Sequence, residues 1–349
     1  MKRKIGGILL AGALFCASLT GCGMKENEVV VTVNDTKVTA DVANFYVRYV
    51  QAQYEAYYGA YLGDQLWTTK AEKGKTYEET VKASVLKELE TMVLLEEHAK
   101  EYGVELTDAE KQVIKAQVKK FDKANGAKEK KKVSGSKKTV ERVLTMLALQ
   151  NKMAEAIQKE ADTNVSDEEA AQKKMEYVKF SYQTTDGSGK VKNLSEEEKQ
   201  AVKKSAEAFA AGLPQDTTDF DLQAYAAENG YETVPLTFDK TGEQPTKEVV
   251  EAADQLPEGG ITSLIETEGG LYVAKVTSLF DQEATNTKKG AIVEERKNEL
   301  YQSKIEEWTK AAKIKENKKV WKKIKLSKMS VKMKTEGQKD SQTTESQEK

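Results

Sequence analysis

The chain has 349 residues and a formal net charge of −2, with 32 % charged and 38 % hydrophobic residues. So balanced a charge excludes nucleic-acid binding by bulk charge, and so high a charged share suits an elongated, helix-rich, well-solvated protein better than one large compact core.

At the start, Lys2, Arg3 and Lys4 precede an apolar run over 5–19, too short to span a bilayer as a permanent helix. Leu19-Thr20-Gly21-Cys22 closes the run, and small residues before a cysteine resemble the bacterial lipobox. That resemblance implies that residues 1–21 are a removed signal peptide and that Cys22 carries a lipid at the outer face of the cytoplasmic membrane, followed by a linker over 22–27. The competing reading is an ordinary signal peptide with an incidental cysteine. With Cys16 removed and Cys22 lipidated, no thiol is left for catalysis, a disulfide or a cysteine metal site. Without the leader's three cations the formal charge is −5, and the 328 residues from Cys22 suffice for two domains.

A β-branched run over 28–33, the turn pair Asn34-Asp35 and Lys37-Val38-Thr39 predict a hairpin. A helix from about Asp41 follows, carrying Phe45, Tyr46, Tyr49, Val50, Tyr54, Tyr57, Tyr58 and Tyr61, then a loop over 63–75 containing Trp67. Val81, Val85, Leu89, Met92, Leu95 and Ala99 predict a helix over 78–102, ended by Gly103. Thr107-Asp108-Ala109-Glu110 is a capping box for a helix to about Phe121. Residues 125–138, rich in Lys, Gly and Ser, read as an exposed loop, and 139–159 as a helix burying Val143, Leu144, Leu147 and Ile157.

After a second capping box, Ser166-Asp167-Glu168-Glu169, the pattern changes. Residues 175–182 alternate as a strand, 186–189 turn, and 195–211 and 220–229 are helical; 230–238 is irregular or extended. A short helix over 247–254, a turn over 256–260 and a hairpin of 261–266 with 271–277 follow. A long helix over 291–313 has Val293, Leu300, Ile305 and Trp308 as anchors. Residues 320–326 read as a strand or helix turn, and 327–349 as a disordered tail too polar to order itself.

Three stretches resemble the PrsA/SurA-type extracytoplasmic foldases, which carry a parvulin-type peptidyl-prolyl isomerase domain: Val29 through Asp35, residues 250–276, and the helix over 294–313. The middle one is the most specific, with Leu256-Pro257-Glu258-Gly259 and Gly270-Leu271-Tyr272-Val273-Ala274-Lys275-Val276. The resemblance implies an α+β fold: a helical chaperone module of 28–170 plus 282–326, and an inserted β-α-α-β-β parvulin-like domain over 171–281. It implies a membrane-anchored, extracytoplasmic foldase that binds unfolded exported polypeptides. Active parvulins place a histidine on the first and on the last strand; here those positions fall at or near Tyr177 and at Tyr272, and no histidine follows His98. The family's Gly-Gly-x-Leu-Gly stretch and its methionine near Gln244 are missing too. Whether the chain is an enzyme therefore stays open, with isomerase activity expected to be weak or lost.

Tyr46, Tyr49, Tyr54, Tyr57, Tyr58, Tyr61 and Trp67 are candidates for client binding, although their helical spacing equally fits a buried face. His98 has no second histidine and reads as structural; no metal and no cofactor are expected. Gly187-Ser188-Gly189-Lys190 reads as a turn, not a phosphate loop, and Asp186 lacks the companions of a calcium loop. The lysine-rich runs over 119–138 and 310–328 are either solvated surface or contacts for anionic headgroups and envelope polymers. Rival readings are an active parvulin isomerase, a solute-binding lipoprotein and a structural envelope lipoprotein; the nearly all-helical first half argues against a two-lobed solute binder.

Overall fold

The computed structural model describes residues 14–17, 25–71 and 74–333. Most of the segment expected to be a signal peptide, Cys22 and residues 334–349 lie outside the described residues. The chain divides into two compact units, Met1–Ala161 with Lys297–Lys349, and Asp162–Arg296.

The first unit begins with β1 (Leu14–Ala17), followed by the expected hairpin of β2 (Val29–Val33) and β3 (Thr36–Thr39), turning at Asn34 with φ +50°. Asparagine is among the few residues that take this left-handed conformation readily. Helix α1 (Ala40–Leu62) buries Phe45, Tyr46 and Val47. The loop after it is anchored by buried Leu66 and Trp67. Helix α2 (Tyr77–His98) opens with a capping box of Thr76 and Glu79, and α3 (Asp108–Ala124) with the expected one of Thr107 and Glu110.

Residues 125–138 depart from the exposed loop expected. They form a short helix, α4 (Ala127–Lys132), and then dip inward, burying Val133 and Ser134. The amide of buried Asn44 donates to the Lys132 carbonyl (3.2 Å) and the Ser134 hydroxyl (3.1 Å), so these two polar groups enter the core paired. Helix α5 (Lys137–Gln158), capped by Ser136, completes the helical core.

In the second unit, α6 (Asp167–Ala170) precedes β4 (Lys173–Ser181). Ser166 caps α6, but the Glu169 carboxylate accepts from Arg296 at 2.5 Å. Strands β5 (Gln183–Thr185) and β6 (Val191–Asn193) make a hairpin that the sequence pattern did not reveal beyond its turn. In that turn Asp186 accepts from the Ser188 amide (2.9 Å), the Ser188 hydroxyl (2.5 Å) and the Lys190 amide (3.0 Å), which holds its carboxyl down at about 2. Helices α7 (Glu196–Ala211) and α8 (Leu222–Glu228) follow, then β7 (Thr233–Phe238), α9 (Lys247–Asp254), β8 (Ile265–Thr267) and β9 (Gly270–Ser278).

These strands form an antiparallel sheet in the order β7-β4-β9-β8. The unit is thus β-α-α-β-α-β-β: the segment left as irregular or extended is an edge strand, where Pro235 costs little because an edge residue needs no second ladder partner. One face packs Val178, Phe180 and Val273 against α7 and α8; the other packs Met175, Ala274 and Val276 against α9. Two glycines permit this closure. Gly259 (φ +82°) lies against the Thr218 backbone, and at Gly270 (φ +141°) a Cβ would fall 2.2 Å from the Phe180 carbonyl oxygen.

Helix α10 (Gln282–Ala311) begins well before the expected start at 291, because Asp281 caps it by accepting from the Ala284 amide at 3.1 Å. Its last turns carry Leu300, Ile305 and Trp308 into the core of the first unit. Strand β10 (Ile314–Glu316) adds to β2 as a third strand, and α11 (Lys318–Trp321) settles residues 320–326 as a helix turn with an irregular end. The tail also needs correction. Ser330–Met333 is a strand, β11, with Val331 fully buried; one apolar side chain between polar neighbours orders the segment once α1 supplies hydrogen-bond partners. The chain is therefore α+β, with a helical unit and a four-stranded unit.

Candidate functional site

In the second unit, β4 and β9 pair with Tyr177 opposite Ala274 and Lys179 opposite Tyr272. This diagonal puts Tyr177 and Tyr272 on the α9 face with ring centroids 5.9 Å apart. Tyr272 is only 3 % exposed and Tyr177 half-buried; the Lys179 ammonium lies 5.7 Å from the Tyr272 ring centre. Burial, and then the neighbouring Tyr272, push the Tyr177 phenol above its ordinary range. Phenols can donate and accept single hydrogen bonds, but they cannot exchange a proton between two ring nitrogens as paired imidazoles do. On the other face Lys275, in register with Glu176, reaches the Phe220 carbonyl, so this buried lysine ties β9 to the α8 entrance. The chain's histidine belongs to the first unit: His98 stacks on Trp308 at 4.1 Å and 7°, with Nδ1 2.8 Å from Glu101. Among the described residues no cluster of His, Cys, Asp and Glu could hold a metal ion.

The aromatic candidates of the first unit divide by depth. Tyr46 (2 % exposed) and Trp67 (5 %) are core, and Tyr49, Tyr54 and Tyr58 are half-buried. Tyr57 (72 %) and Tyr61 (86 %) are free on the surface. Trp67, Tyr54 and Tyr58 pack in sequence as tilted pairs at 6.0 and 5.8 Å, and Tyr57 meets Tyr58 edge-on at 4.7 Å. Aromatic surface thus continues from the core to solvent along the end of α1.

Beside this ladder lies a cavity of about 740 Å³, lined by Ala52, Ala56, Gly59, Ala60 and Trp67 and by residues 326–332. Its far wall is held by a comb of polar side chains that aromatic spacing alone does not reveal. Arg48 donates to the Lys325 carbonyl (3.1 Å), and Gln51 to the carbonyls of Leu326 (3.1 Å) and Met329. Glu55 accepts from the Trp67 indole (2.8 Å), the Ser330 hydroxyl (2.7 Å) and the Val331 amide (2.7 Å). Glu78 accepts from the Leu326 and Ser327 amides, while Lys82 donates to the Trp321 and Ile324 carbonyls. Burial lowers the Lys82 ammonium to about 8. The signal was present in the sequence: Asp41, Asn44, Arg48, Gln51 and Glu55 form a polar stripe at helical spacing along α1.

The lysine-rich runs are partly engaged. Asp122 holds Lys130 (2.5 Å) and Lys137 (3.0 Å), and Glu28 holds Lys323 (2.8 Å).

Fold and sites together define a mixed helix-and-sheet protein, with a cavity beside exposed tyrosines in one unit and a four-stranded antiparallel sheet bearing two packed phenols in the other. Over 347 aligned residues the chain is 27 % identical to foldase protein PrsA of Clostridium botulinum, covering 90 % of this chain and 97 % of that one. No protein-family model matches the chain. Similar solved structures include foldase protein PrsA of Streptococcus pneumoniae, at 22 % identity and TM-score 0.29 over 73 % of this chain and 97 % of that one. Another comes from work on two SurA-like chaperones of Campylobacter jejuni, at 13 % identity and TM-score 0.30 over 84 % and 100 %. The resemblance to the PrsA/SurA-type foldases read from three dispersed stretches is thus carried along most of the sequence.

Proposed function

We propose that this chain is an extracytoplasmic protein-folding factor of the peptidyl-prolyl isomerase family that holds unfolded exported polypeptides and has weak or no isomerase activity. The near-full-length similarity to a foldase supports the folding role. The pair Tyr177 and Tyr272, packed at 5.9 Å where active parvulins carry imidazoles, is the observation that separates holding from catalysis. Lowering an amide-rotation barrier of about 18–20 kcal/mol needs a preorganised polar lattice around the prolyl bond, and two phenols packed under α9 do not supply one. Reversible shielding of client segments by the groove and by Tyr57 and Tyr61 needs no nucleotide.

The lipobox-like Leu19-Thr20-Gly21-Cys22 supports anchoring through a lipid on Cys22. Among the described residues no helix is long and apolar enough to cross a membrane. The lysine-rich runs would then lie near anionic headgroups and envelope polymers, an attraction that salt weakens.

The test is suppression of aggregation of a denatured protein by the purified chain. Suppression at near-stoichiometric ratios supports the reading; no suppression at large excess contradicts it and favours a structural lipoprotein.

A further inference from the structure

Strand β11 has two edges with different occupants. The Val331 amide points to α1, where Glu55 accepts it. Backbone groups alternate along a strand, so those of Ser330 and Lys332 point to the opposite edge. There Leu14–Ala17 pairs antiparallel with it, Ala17 opposite Ser330 and Phe15 opposite Lys332. These four residues belong to the leader that the proposed function removes. In the processed chain that edge would be open, and an open strand edge is a template for another extended chain.

From this we infer that the outer edge of β11 is a peptide-binding slot, which takes a short, extended, uncharged apolar segment of an unfolded polypeptide by strand addition. The precursor's own Leu-Phe-Cys-Ala is the ligand seen in place. The slot is built rather than incidental: Gln51 and Glu55 fix residues 326–331 against α1, and the cavity of about 740 Å³ borders the same strand. Main-chain hydrogen bonds supply affinity without regard to client sequence, as a folding factor with many clients requires. The inference rests on the proposed removal of residues 1–21 and names a client site for that reading.

The test uses a fluorescein-labelled peptide of residues 10–20 carrying Cys16→Ser. Its binding is measured to the chain beginning at Cys22, purified from membranes in detergent, and to the Cys22→Ala precursor, which on the lipoprotein reading keeps its leader. Saturable binding to the processed chain, at least tenfold weaker to the precursor, is expected. Lys332→Pro removes one donor from the outer edge and leaves the Val331 amide on Glu55, so it should weaken binding at least tenfold, whereas Lys332→Ala should not. Methylating the peptide amides of Phe15 and Ala17 should abolish binding, and methylating those of Leu14 and Cys16→Ser should spare it. This readout requires no protein variant to fold. Equal affinity for processed chain and precursor, insensitivity to amide methylation, or binding that appears only as the chain dimerises would overturn the slot. Aggregation suppression measured in parallel keeps the two claims apart: suppression without peptide binding removes the slot alone, and peptide binding without suppression removes the folding role alone.

Discussion

The two units use aromatic residues in opposite ways. In the second unit Phe180, Phe209, Tyr225 and Tyr231 interlock at 4.7–5.6 Å beneath α7 and α8, and Tyr177 and Tyr272 lie under α9. These six aromatics close the fold, and Phe280, before α10, is the exposed exception among the described residues of the unit. In the first unit the series begins in the core at Phe45 and Tyr46 and runs outward along α1 until Tyr57 and Tyr61 stand in solvent. The lesson is that the aromatic residues of the sheet serve as a packed scaffold, while the exposed aromatic surface, the one the proposed function uses, lies on a helix.

The largest effect should come from the second unit. Gly270→Ala drives a Cβ into the Phe180 carbonyl at a φ of +141°, which should cost about 2–4 kcal/mol in denaturant unfolding. Retention of full stability would show that the β4–β9 ladder tolerates a shift and that the scaffold is not tightly packed.

A smaller loss is expected in the first unit from Glu55→Ala. It strips the acceptor shared by Trp67, Ser330 and Val331 and should cost about 1–3 kcal/mol, with limited proteolysis newly cutting within 325–333.

Glu90 provides a pH test of the same unit. It is buried with Oε1 unpaired among the described residues; burial, and then Glu316, raise its carboxyl to about 7 from 4.5. The folded chain therefore holds this proton more tightly than the unfolded chain, so stability falls as pH rises from about 4.5 through about 7. Glu90→Gln should remove that slope, leaving the variant about 1 kcal/mol more stable than the parent at pH 8 and not at pH 4. Melting temperatures at the two pH values check it.

The smallest change in stability should accompany Tyr57→Ser with Tyr61→Ser, within about 0.5 kcal/mol because both rings are exposed, yet aggregation suppression should fall several-fold. Unchanged suppression would move the client surface away from the end of α1.

Much of this was legible in the sequence because it is encoded locally. The hairpin around Asn34, the capping box at Thr107 and the turn at Asp186 each carry their own geometry within a few residues. Resemblance to the last and first strands of the foldase family singles out Tyr272 and Tyr177, and only the register reveals that their rings meet. Strands β10 and β11 were not legible: Ile-Lys-Glu and Ser-Val-Lys-Met have no periodicity of their own and are held by partners some 275–285 positions away, β2 for β10 and Glu55 of α1 for β11. Residues 133–135 were hidden for a similar reason, since the lysines around them dominate the composition while Asn44 decides their fate.

The claim that binding persists where catalysis does not is tested most directly by protease-coupled cis–trans isomerisation of a prolyl peptide, run on the preparation that suppresses aggregation. The account predicts a rate indistinguishable from the uncatalysed one for both the parent chain and Tyr272→Ala. Fast isomerisation by the parent that disappears in Tyr272→Ala would contradict it.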